Sequence, residues 1–94
     1  MGEINLTRAG LLNAAQHGIT PEEVWQIAGA DNRVIHPVGE ASRMILAYTR
    51  QGRGLAILVQ ESQLEDDVWD VVAAREMTEQ EATHVQLVWK RRRR

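Results

Sequence analysis

The stretch RMILAYTRQGRGLAILV, residues 43–59, reads as two apolar runs separated by a short polar turn. Arg43–Thr49 and Leu55–Val59 are built from Ile, Leu, Val, Ala and Tyr, and Gln51-Gly52-Arg53-Gly54 supplies the glycine that a tight reversal needs. They predict a β-hairpin at the centre of the chain. Working outward, Arg33–His36 before Pro37 is a shorter strand candidate, and Val68–Ala74 follows the acidic turn Glu65-Asp66-Asp67. Short links between successive strands favour an antiparallel meander over crossover connections. The expected sheet has three to four antiparallel strands.

The flanks carry helical signals. Leu11, Leu12 and Ala15 share a face within residues 5–16, and Gly18 stands where a glycine ends a helix, so a first short helix is expected there. Thr20-Pro21-Glu22-Glu23 combines a capping hydroxyl, a first-turn proline and a glutamate three residues after the cap. The helix it starts has Val24, Ile27 and Ala28 on its apolar stripe and stops at Gly29 and Asp31-Asn32. Thr78-Glu79-Gln80-Glu81 repeats the capping pattern before Ala82, Val85, Val88 and Trp89, which gives a last helix. The fold class is therefore α+β: two N-terminal helices, a meander and a C-terminal helix.

Ninety-four residues allow one core, read as a single domain over residues 1–89 followed by a basic tail, residues 90–94. With 44% hydrophobic and 26% charged residues the composition is that of a folding globular chain. No apolar run reaches the roughly 20 residues that cross a bilayer, and the N-terminus lacks a signal-peptide layout, so a cytoplasmic protein without membrane contact is expected. Cysteine is absent, which excludes disulfide-stapled scaffolds and thiolate metal sites. The net charge of −2 hides an asymmetry: Lys90–Arg94 are five cations, and residues 1–89 hold six arginines against thirteen Asp and Glu. An acidic body repels phosphate unless its few arginines converge. The plain expectation for the terminal run is a solvated end.

Those arginines are the candidates for chemistry. Arg43 opens one strand, Arg50 and Arg53 flank the hairpin turn, and Arg75 ends the strand Val68–Ala74. In a meander Arg43 and Arg75 can share a rim, and clustered guanidiniums suit phosphate because each offers a planar fork of donors. The plainer alternative is four surface arginines balancing nearby carboxylates. His17, His36 and His84 show no metal-ligand spacing, so no metal and no cofactor is expected; His17, beside a helix-ending glycine, suits the last carbonyls of a helix. Trp25, Trp69 and Trp89 read first as core or interface.

The order Asn13…His17-Gly18, Pro21-Glu22-Glu23-Val24, Gly39-Glu40 with Arg43 before a strand, Gly52-Arg53 before another, and Ala74-Arg75…Thr78…Glu81 resembles the BrnT family of toxins. The resemblance spans roughly residues 13–82 and lies in the order and spacing of the motifs. It implies a RelE-like fold and an endoribonuclease toxin of a type II toxin–antitoxin system, cleaving RNA without metal and held inactive by a partner antitoxin. On that resemblance Arg43, Arg53 and Arg75 hold and stabilise the phosphate, Glu40 is the candidate base, and Arg50, Arg53, Arg91 and Arg92 contact RNA. The chain departs from the family pattern at Gln16, Ala73 and Ala82, each lacking a polar or basic group the family carries. These departures keep open a catalytically inactive BrnT-like interaction module or homodimeric subunit with an apolar patch around Trp25, Trp69 or Trp89, and a DNA-binding regulator that uses the basic tail.

Overall fold

The computed structural model describes residues 2–93. In chain order it contains β1 (Glu3–Leu6), α1 (Arg8–Gln16), α2 (Pro21–Ala28), β2 (Val34–Pro37), β3 (Ser42–Tyr48), β4 (Gly54–Glu61), β5 (Val68–Glu76) and α3 (Glu79–Arg92). The α+β class and the central β3–β4 hairpin are as expected. The sheet is larger and mixed: five strands in the order β1-β5-β4-β3-β2, antiparallel except that β1 runs parallel to β5, with Ile4 opposite Trp69 and Leu6 opposite Val71. The expected helix over residues 5–16 is corrected accordingly. Asn5 and Leu6 belong to β1, and Thr7 caps α1, its Oγ1 accepting from the Gly10 N–H at 3.0 Å.

Strand alternation divides the core into two layers. Ile45, Ala47, Leu55, Ile57, Val59, Trp69, Val71 and Ala74 face α1 and α2, where they meet Ala14, Val24, Ile27 and Ala28. Val34, Leu46 and Ala56 point the other way, under Val85 of α3. One residue of β5 breaks the period. The register passes from Leu58 opposite Ala73 to Val59 opposite Val71, so Val72 is extra, a bulge that lets Val71 and Ala74 point into the same layer.

Both threonine-led capping boxes form, Thr20 with Glu23 and Thr78 with Glu81. Gly18 has φ +69°, the left-handed conformation that ends α1 with little penalty only at glycine. Lys90–Arg92 continue α3, where basic side chains in the last turn suit the free carbonyls, and Arg92 Nη1 donates to the Arg33 carbonyl at 3.1 Å. Arg94, the end of the expected tail, lies outside the described residues. Among the described residues no helix is long and apolar enough to cross a membrane.

Candidate functional site

The three arginines expected in one groove are placed apart. Arg43, at the start of β3, faces the α1/α2 layer. Its Nη1 donates to the Ser42 carbonyl at 2.8 Å, and its guanidinium lies 5.3 Å from the centre of the Trp69 ring. Arg53 shares that layer at the opposite end of the β3–β4 hairpin, where Thr49 N–H bonds its carbonyl. Its guanidinium is fastened to Glu23 at 3.2 Å, to Glu76 at 3.0 Å and to the Gly18 carbonyl at 2.9 Å. Those contacts tie α2 and the α1–α2 turn to the end of β5 and hold the guanidinium above its usual pKa, Glu76 contributing most. Arg75 is opposite Ala56 and so faces the α3 layer. Arg43 and Arg75 therefore do not share a rim, and the three arginines do not converge on one groove, because alternation and the β5 bulge turn Arg75 to the other face.

The remaining candidates are dispersed too. Glu40 is exposed in the β2–β3 turn, and its backbone carbonyl lies 3.4 Å from Arg43 Nη1. Arg50 is exposed in the hairpin turn, which is tied to α2 by Arg50 N–H donating to Gln26 Oε1 at 2.9 Å. Arg91 and Arg92 sit in the last turn of α3.

What the fold does bring together is Arg75, His17 and Asn13. The α3 layer of the sheet carries successive cross-strand rows. Val34, Leu46, Ala56 and Arg75 form one row beneath α3; His36, Met44, Leu58 and Ala73 form the next. Met44, Leu58 and Ala73 are only half-buried. They floor a shallow pocket of about 200 Å³ whose rim is Arg75, His17 and Asn13.

The rim is assembled from local rules. β1 ends opposite Val71, leaving the upper edge of β5 to α1. There Asn13 Oδ1 accepts the Ala74 N–H at 3.0 Å, supplying the edge bond that a longer β1 would have made. His17 lies one turn on from Asn13, and its Nδ1 is 2.9 Å from the Asn13 carbonyl. A carbonyl only accepts, so Nδ1 is the donor and carries a proton, and Nε2 takes no part in this bond. The contact expected between His17 and the last carbonyls of α1 is thus made. Arg75 makes a forked pair with Glu81 of α3, Nη1 to Oε1 at 2.6 Å and Nη2 to Oε2 at 2.9 Å. That bond from Arg75 is the main cause holding the Glu81 carboxyl down to about 2.

Sequence reasoning chose Arg75 and passed over its neighbours. Asn13 and His17 are four apart, the spacing that shares a helix face, and this was the available signal. Glu81 was legible only as a capping residue. Among the described residues no group of three or more His, Asp or Glu side chains is placed to hold a metal ion. No protein-family model matches the chain, and no curated protein is significantly similar to it.

Proposed function

We propose that the chain is a metal-independent endoribonuclease of the toxin type, acting at the pocket shared by Arg75 and His17 and neutralised by a partner antitoxin. The observation that supports it is a shallow, half-apolar pocket lined by both Arg75 and His17, whose Nδ1 donates to the Asn13 carbonyl and leaves Nε2 as the candidate base. In internal transesterification the 2′-hydroxyl loses its proton to His17 and its oxygen bonds to phosphorus. The P–O5′ bond breaks as that bond forms, and water protonates the departing oxygen. The products are a 2′,3′-cyclic phosphate and a 5′-hydroxyl. The Arg75 fork matches two non-bridging oxygens and stabilises the charge that develops on them. The resemblance of the motif order to that of BrnT toxins, in a fold we read as RelE-like, supports the same reading, for which we propose a cytoplasmic RNA substrate.

Expression of the native chain in a bacterial host under a tight promoter tests this. Growth arrest with loss of bulk RNA is expected, with both effects abolished by Arg75→Ala. Unaffected growth with intact RNA would sink the proposal. A second reading, a non-catalytic interaction module or homodimer, is favoured by Trp25, which is 51% exposed on α2 while Trp69 is buried. It calls for self-association of the native chain that Trp25→Ala weakens, measured by sedimentation.

A further inference from the structure

Among the described residues Arg75 is the one arginine that lines the pocket, and its guanidinium is held by Glu81; we infer that this contact is an internal gate: Glu81 stands where a phosphodiester binds, and substrate must displace it. The inference rests on the RNA-cleaving reading of this pocket. A carboxylate and a phosphodiester present the same pair of oxygens to a guanidinium fork, so the two compete for the same donors. The pair is only partly shielded, its side chains being 40% and 21% exposed, so exchange needs no unfolding.

Both partners keep a second anchor when the pair opens. Arg75 Nη1 also donates to the Glu76 carbonyl at 3.1 Å, which keeps the guanidinium anchored to the end of β5. Glu81 Oε1 accepts the Thr78 N–H at 2.9 Å, and Glu81 N–H donates to Thr78 Oγ1 at 3.1 Å, so the capping box keeps the released carboxylate in place. The helix is held independently of the pair. Val85 is fully buried, Trp89 Nε1 donates to the Asn32 carbonyl at 2.7 Å, and Arg92 reaches the Arg33 carbonyl. Arg53 is the contrast. Its two carboxylates and the Gly18 and His17 carbonyls surround it outside the pocket, an arrangement that fastens elements together.

Glu81→Gln is a selective test, because glutamine serves the same capping position as glutamate while removing the competing charge. Binding of a short single-stranded 2′-O-methyl RNA, which lacks the attacking hydroxyl, is followed by fluorescence anisotropy at low salt. E81Q is expected to bind about fivefold more tightly than the native chain, the factor set by an ion pair at the upper end of the exposed range. The gain should vanish when Arg75→Ala is added. Where the native chain binds the RNA, equal or weaker binding by E81Q would overturn the gate. Inorganic pyrophosphate serves as a second probe that is independent of RNA. If neither protein binds the RNA but E81Q binds pyrophosphate more tightly, the gate stands and the RNA reading fails; if E81Q shows no advantage with either probe, the gate fails.

Discussion

Arg75 and Arg53 both hold carboxylates, and the difference between them is geometric. Arg53 is enclosed by partners from three segments, whereas Arg75 has one carboxylate and a pocket beside it. Arg53→Ala is expected to lower the thermal midpoint by roughly a few degrees, because Glu23 and Glu76 lose their shared cation, and to reduce RNA cleavage only as far as the folded fraction falls. Circular dichroism melts run beside a cleavage assay check this. Glu81 gives a pH dependence with a definite sign. Its carboxyl is held at about 2 in the folded chain against an ordinary 4.5, so its contribution is present above about 4.5 and is lost as pH falls toward about 2. Acid melts of E81Q should therefore show a flatter midpoint between those values than the native chain. Residue type drew attention to Arg43 and Arg53 in the sequence; their actual partners depend on where α2, Trp69 and the bulge fall, which no local pattern encodes.

At the scale of elements, β1 and α1 decide the pocket, and β1 was the least legible part. Glu3-Ile4-Asn5-Leu6 does alternate polar and apolar, but a four-residue strand gives a weak signal beside an adjoining helix. Its parallel pairing with β5 depends on a contact more than sixty residues away, such as Asn5 Nδ2 donating to Asp70 Oδ1 at 2.9 Å. By contrast, both capping boxes and the β3–β4 hairpin were readable because their determinants lie within a few residues of one another. The packing of α1 on β5 is close. A Cβ on Gly10 would stand 2.2 Å from the Val71 carbonyl oxygen, and Thr7 Oγ1 already donates to that oxygen at 2.6 Å. Gly10→Ala is expected to destabilise the fold by about 1–3 kcal/mol, as overpacking does, despite the better helix propensity of alanine. A urea midpoint that stays at or above the native value would show that α1 can move aside.

Over the whole molecule the charges are segregated. The basic residues Lys90–Arg93 end α3 near Arg33, while Glu61, Glu65, Asp66 and Asp67 gather at the β4–β5 turn. An acidic body with one basic end steers a polyanion to that end, which here is the continuation of α3 through Arg92. The double variant Arg91→Ala/Arg92→Ala is expected to weaken RNA binding and to flatten its logarithmic salt dependence by about 1.4, roughly 0.7 for each cation lost on a single strand, measured by anisotropy across a salt series. An unchanged slope would place the strand elsewhere. The most direct test of the central claim is cleavage of a short single-stranded RNA by the purified chain in the presence of a chelator, compared with Arg75→Lys and His17→Ala. The native chain should yield 2′,3′-cyclic phosphate ends, with the rate falling on the order of a hundredfold or more in each variant; no cleavage by the native chain, or equal cleavage by all three, would contradict a site built on Arg75 and His17.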